Sequence, residues 1–217
     1  DLSPMELRML TRRSLNGSMT VVGDIAQSTG AWAHNSWDEI LEHLPDRRPP
    51  RMAELTVGYR IPAPMMSLAA RVLTHAAPGL RPPRSVRQDG QPPLIVRATD
   101  GLTDRLIEVI RRELDAVEAG NVAVICPASL VEPVASALDA AGIEYGRATR
   151  RGLDAQLTVV PVGLVKGLEV DAAVVVEPGR IISEEAQGMR ALYVALTRAT
   201  RRLSVVHAEP LPAVLQE

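Results

Sequence analysis

Four short strings in this chain set an amide, a carboxylate or an arginine at the end of an apolar run, where a parallel α/β protein displays the groups that act on a ligand. In Val21-Val-Gly-Asp-Ile-Ala-Gln27 the run stops at Gly-Asp and a glutamine follows three residues later. Asp24 and Gln27 then place a carboxylate and an amide at a strand tip, where the amide can contact a terminal phosphate or an attacking water, although an ordinary strand-turn has the same composition. In Leu55-Thr-Val-Gly-Tyr-Arg-Ile-Pro62, Tyr59 and Arg60 leave a strand just before a proline-started helix. A ring can cover a flat base there and a guanidinium can reach a phosphate; a core-edge tyrosine beside a surface arginine accounts for the pair equally. In Val165-Lys-Gly-Leu-Glu-Val-Asp171, Gly167 suits a close approach of backbone to phosphate, and Glu169 can accept from ribose hydroxyls. A plain turn is the alternative. In Leu192-Tyr-Val-Ala-Leu-Thr-Arg-Ala199 an apolar helix carries Arg198 at its polar end, fit either to stabilise charge on a transferring phosphoryl group or simply to match the helix dipole.

The elements that must position these groups follow from apolar spacing. Ser3-Pro4 before Met5, Leu7, Met9 and Leu10 predicts a capped helix, and Met19–Val22 predicts a buried strand. A short helix is expected over Trp37–Leu44, and the proline-rich break Pro45–Pro50 marks a domain boundary, dividing the chain into 1–50 and 51–217. Beyond it come a strand at Glu54–Val57, a helix over Pro62–Thr74 and a solvated, proline-rich connection over Ala76–Pro93. Strands are then expected at Leu94–Ala98, Val122–Cys126, Glu144–Arg147, Leu157–Val162, Ala172–Val176 and Leu203–His207, with helices over Leu102–Glu118, Leu130–Ala141 and Glu184–Ala195. Short apolar strands alternating with amphipathic helices predict an α/β fold with a parallel, doubly wound sheet, whose ligands bind beyond the carboxyl ends of the strands.

With 217 residues, 46% of them hydrophobic, the chain can fill a core, and its net charge of −2 gives no global attraction to a polyanion. Two Trp, three Tyr and no Phe leave little for a base-stacking track. The single Cys126 sits in an apolar run and reads as a buried thiol, and neither a disulfide framework nor a Cys/His metal cluster is possible. No stretch approaches the roughly 20 apolar residues of a membrane span, so a cytoplasmic protein with no membrane partner is expected.

Taken together, in this order and spacing, the four strings resemble motifs III to VI of superfamily 1 helicases of the UvrD/Rep type: Gly23–Gln27, Gly58–Arg60, Lys166–Asp171 and Tyr193–Ala199. Asp1-Leu2-Ser3 looks like the residues that follow the Walker B motif. The resemblance implies RecA-like (P-loop NTPase type) architecture, with 1–50 the tail of domain 1A and 51–217 domain 2A, and ATP with Mg bound between them. It implies that Gln27 senses the γ-phosphate, Arg60 and Arg198 reach it, Tyr59 stacks on adenine and Glu169 holds the ribose, with Asp24, Lys166 and Gly167 also at the nucleotide. The Walker A lysine and most Mg ligands would lie upstream in the rest of domain 1A, a partner in the same polypeptide, so these residues alone should not hydrolyse ATP.

The match departs from the family on its nucleic-acid side. Asn is usual where Gly58 precedes Tyr59; Gly30 replaces the first of two stacking aromatics; Pro161 and Gly163 stand where Thr-x-His is usual. Trp32 and Ser28 remain as candidates to face single-stranded DNA. That pattern, and the strings Ala53–Val57, Pro82–Arg87 and Val160–Lys166, resemble actinobacterial HelD-like ATPases, whose partner would be RNA polymerase. A translocating DNA helicase and an ATPase that remodels or recycles RNA polymerase are thus both compatible with the sequence.

Overall fold

The computed structural model describes residues 1–45, 49–147 and 155–216. In chain order these form helices α1 (Pro4–Arg13) and α2 (Trp37–Leu41), strand β1 (Val57–Gly58), helix α3 (Ala63–Ala76), and strands β2 (Arg84–Ser85) and β3 (Leu94–Arg97). Helix α4 (Leu102–Val117), β4 (Val122–Cys126), α5 (Val131–Ala140), β5 (Gly146–Arg147) and β6 (Leu157–Pro161) follow. The last elements are β7 (Val170–Val176), α6 (Pro178–Glu184), α7 (Gly188–Leu196) and β8 (Ala199–His207). Six strands make one parallel sheet in the order β3-β8-β7-β4-β6-β5, while β1 and β2 pair as a separate parallel ribbon.

Parallel strands covered on both faces read as unbroken apolar runs, and β7, Val-Asp-Ala-Ala-Val-Val-Val, is such a run. Its alternate residues serve two cores. Ala173 and Val175 pack with α3, α6 and α7, whereas Ala172, Val174 and Val176 pack with α4 and α5. The result is three layers, helices on sheet on helices, built from Val, Leu, Ala and Ile as the scarcity of rings demands. Helix α1 opens with a capping box in which Ser3 and Glu6 satisfy each other's backbone donors. Cys126 is fully buried and its thiol is pushed up to about 12 by desolvation.

Several expectations need correction. Met19–Val22 is not a strand: it pairs with nothing among the described residues, and Val22 is 88% exposed. A strand exists only where a neighbour takes its backbone donors and acceptors, which periodicity within the segment cannot supply. Glu184–Ala195 is two helices rather than one. The chain turns extended at Glu185, and α7 starts at Gly188, where a Cβ would overlap the Ile182 carbonyl, so the break and the close approach require each other. The expected strand Glu54–Val57 shrinks to the ribbon residues Val57–Gly58. Within 76–93 the connection is anchored rather than wholly solvated: Ser85 is buried and donates to the Ile61 carbonyl, and Arg87 donates to the carbonyls of Arg60 and Thr200 at 2.8 Å each. The expected break at 45–50 falls partly on residues 46–48, outside the described residues. Among the described residues no helix is long and apolar enough to cross a membrane.

Helix α4 buries a carboxylate beside the core that it forms with α5 and the sheet. Glu113, 1% exposed, accepts from Arg202 Nε at 2.5 Å and from Ser204 Oγ at 2.8 Å. Removing one member strands the other charge. Glu113→Ala should therefore lower the free energy of unfolding by about 3 kcal/mol in urea titrations, and the double change Glu113→Leu with Arg202→Leu should recover most of that loss.

Candidate functional site

Glu169 immediately precedes β7 and Arg198 immediately precedes β8. Because β7 and β8 run parallel and side by side, both residues reach the same edge of the sheet, its amino edge. A cavity of about 600 Å³ opens there, lined by Asp24, Gln27, Tyr59, Arg60, Glu169, Tyr193, Thr197 and Thr200 among others, a size that suits a small-molecule ligand. The expectation that ligand groups gather beyond the carboxyl ends of the strands is thus not met in this sheet. The carboxyl-end rule reflects backbone N–H groups at the starts of helices; here the wall is made of side chains delivered by the turn before β7 and by the end of α7.

Arg198 is 3% exposed and pairs with no carboxylate among the described residues. Its Nε donates to the Val194 carbonyl at 2.9 Å, one terminal nitrogen to the Leu168 carbonyl at 3.3 Å, and the other to Thr197 Oγ1 at 3.1 Å and Gln27 Oε1 at 3.3 Å. Desolvation, with the nearby charge of Arg60 second, lowers it to about 10, so it remains a cation at neutral pH. Gln27 accepts from Arg198 and donates through Nε2 to Asp24 Oδ2 at 2.8 Å, which fixes which end of the amide faces which partner. Asp24 Oδ1 caps the short turn Ile25–Gln27 by accepting from the Ala26 amide at 2.9 Å. An acid, an amide and a guanidinium therefore stand in one chain of hydrogen bonds.

Arg60 spans the cavity mouth, donating to Glu169 at 3.2 Å and to the Thr197 carbonyl at 3.3 Å. The pair is largely solvated, so it contributes little to stability and can part when a ligand competes. Tyr59 stands 80% exposed at the rim, its ring unpacked. Tyr193, from α7, is buried beneath, and desolvation, with Asp24 second, pushes its hydroxyl up to about 12.

Of the residues singled out from sequence, Asp24, Gln27, Tyr59, Arg60 and Glu169 line one cavity, with Arg198 hydrogen-bonded to its wall. Lys166 and Gly167 lie outside the lining: Gly167 turns the chain with φ +83°, and Lys166 Nζ pairs with Asp1 Oδ2 at 2.8 Å. Ser28 is buried, donating to Asp1 Oδ1 at 2.6 Å, and Trp32, 56% exposed, borders a separate hollow of about 310 Å³ with Pro4, His34 and His43. Tyr193, Thr197, Thr200 and Arg87 belong to the cavity and were not picked out from sequence. Two hydroxyls one turn apart, Tyr193 within α7 and Thr197 at its C-cap, were the available signal. Among the described residues no group of three His, Cys, Asp or Glu side chains is placed to hold a metal ion. The oxygens of Asp24 and Asp1 are already engaged by amide, hydroxyl and ammonium donors, so this wall does not fit a magnesium site.

No family model and no curated protein matches the chain. Among solved structures it is similar to the C-terminal domain of a possible DNA helicase from Lactobacillus plantarum WCFS1, with 21% identity over 73% of this chain and 92% of that one, at a TM-score of 0.56. The SWI2/SNF2 ATPase core of Sulfolobus solfataricus, solved with double-stranded DNA, matches 73% of this chain and 35% of its own at 17% identity, with a TM-score of 0.42. The fold is the RecA-like α/β fold of helicase C-terminal domains.

The guanidinium groups of Arg60 and Arg87 in its lining, with Arg198 desolvated and unpaired with any carboxylate behind it, should make the cavity a site for a multiply charged anion. Pyrophosphate should raise the melting temperature with a dependence on its concentration set by mass action, less so at high salt. Arg198→Ala should abolish the shift; an unchanged shift would show that the anion binds elsewhere.

Proposed function

We propose that this chain supplies one wall of the ATP site in a superfamily 1 motor of the UvrD/Rep type, acting in the full-length protein as a DNA helicase or translocase. The observation that carries this reading is Arg198, a buried cation held ready by neutral acceptors and linked through Gln27 to Asp24 at the edge of a nucleotide-sized cavity. In this reading Tyr59 covers the adenine and Glu169, released from Arg60, accepts from the ribose hydroxyls. Arg60 and Arg198 meet the charge that develops on the γ-phosphoryl group, and Gln27 orients the attacking water between them. The phosphate-cradling loop, and magnesium to neutralise the phosphates, come from a preceding RecA-like domain.

Guanidinium groups that engage only when the cleft closes act mainly in the transition state. In the full-length protein, Arg198→Ala should lower kcat by roughly 10²–10⁴-fold with a much smaller change in KM. Tyr59→Ala should raise KM and spare kcat, because it removes binding common to ground and transition states. Arg198→Ala that leaves kcat intact while lowering thermal stability would reduce the residue to a helix-end cation.

A second reading, an ATPase of the HelD-like kind that remodels or recycles RNA polymerase without unwinding duplexes, is favoured by the loop after Gln27. Gly30 presents no ring, and a Cβ there would lie 3.0 Å from Asp1 Cβ, so a side chain at that position would require Asp1 to give way; in this loop Trp32 alone remains to stack. Measured on the full-length protein, Trp32→Ala separates the two. A large loss of affinity for single-stranded DNA is expected of a helicase, and an unchanged, salt-sensitive, weak affinity is expected of the polymerase-directed ATPase.

A further inference from the structure

Arg190, at the start of α7, is 5% exposed and lines neither cavity. Every acceptor of its guanidinium among the described residues is neutral, and three of the four belong to one loop. One terminal nitrogen donates to the carbonyls of Ser28, at 3.4 Å, and His34, at 3.0 Å; the other donates to Asn35 Oδ1 at 2.8 Å; Nε donates to the Ala76 carbonyl at 3.2 Å. Ser28 and His34 bracket the segment whose tip carries Trp32. The guanidinium thus closes that segment as a staple closes a loop and fastens it to α7. A planar fork of five donors can do this and an ammonium cannot.

The same helix presents Tyr193 to the nucleotide-sized cavity and leads directly into Arg198. All but one of the residues of α7 are buried, so the helix moves as a unit: close packing forbids bending it piecemeal. The loop has a second tie at its other side, Gln27 to Arg198. A displacement of α7 or of the Arg198 guanidinium therefore acts on both ends of the loop, against the ties that Ser28 and Gly30 make to Asp1.

We infer that Arg190 is a positioning residue which couples occupancy of the cavity to the conformation of the Ser28–Asn35 loop and its Trp32. The inference rests on the cavity being the nucleotide site. Its output is the environment of one indole, exposed and free to report or to grip a ligand. Arg190 takes no part in binding the nucleotide.

The test uses the full-length protein with Trp37→Phe, which leaves Trp32 as the only indole among the residues of this chain; indoles elsewhere in the polypeptide are replaced likewise. Binding of a fluorescent ATP analogue is followed by anisotropy, and Trp32 emission is followed with unlabelled ATP. ATP should bind and should shift or quench Trp32 emission. Arg190→Ala should leave ATP affinity and basal turnover unchanged while the Trp32 response is lost. Because a buried arginine can be needed for folding, Asn35→Ala, at an exposed position, serves as a second variant with its melting temperature checked, and it should diminish the response. Absence of ATP binding in the parent would remove the nucleotide reading and this inference with it. ATP binding with no Trp32 response, or a full response in both variants, would overturn the coupling role alone.

Discussion

Desolvation of the Arg198 guanidinium is the constraint around which the cavity is arranged. A buried cation without a carboxylate is costly unless each N–H finds an acceptor. The structure meets that demand from three directions: the last turn of α7, the turn before β7, and Gln27 from the amino-terminal segment. Each of those segments is held there partly by the acceptor it contributes. The Gln27 contact in turn depends on Asp24, which orients the amide and caps the turn that carries it. A carboxylate in place of Gln27 would lose the donor that Asp24 accepts and set two like charges side by side, and by compensating Arg198 would leave it less to gain from an incoming anion.

Arg60 shows the opposite choice. Its partner Glu169 is a full charge, yet the pair lies in solvent, where Coulomb attraction is weak and screened. One arginine is therefore held by neutral groups in a dry place and the other, half-exposed, by a solvated anion and a single carbonyl. The first is fixed in geometry and short of charge compensation; the second is compensated and free to move. Pyrophosphate-like ligands need both properties, a fixed donor to set register and a mobile one to close over them.

Much of this was legible in the sequence because a parallel sheet converts chain position into place. Glu169 and Arg198 stand in polar strings ahead of two apolar runs, and two parallel neighbouring strands bring such residues together. That β7 and β8 begin directly after them, at Val170 and Ala199 rather than at Ala172 and Leu203, and so place them at the amino edge, was not legible. The helical spacing of apolar residues in α3 and α4 was likewise legible, whereas β7 reads as a continuous apolar run that does not say which residue faces which core. What stayed hidden depended on partners distant in sequence. Lys166 has the type and spacing of a phosphate ligand, but the carboxylate of Asp1, far away in the chain, decides where its ammonium points. Met19–Val22 has the composition of a buried strand, which becomes one only beside another strand. Tyr193 passed as one more apolar residue of a buried helix, and only the position of the cavity distinguishes its hydroxyl from a core edge.

Arg190 at the start of α7 and Arg198 just past its end explain why this helix is so thoroughly buried. A helix exposed on one face tolerates small rotations, since water replaces whatever contact is lost. One buried all round must shift as a body or not at all, and polar groups at its two ends then report the same displacement. Arg190 and Arg198 sit at those ends, and each fork holds the amino-terminal segment, one at the Ser28–Asn35 loop and the other at Gln27. Lysines would anchor neither end, because a point charge on a flexible stem satisfies one or two acceptors and leaves the remaining buried carbonyls unpaired. Guanidinium forks at both ends of a rigid, desolvated helix are the arrangement that lets a change at the cavity be felt at the loop without any element between them deforming.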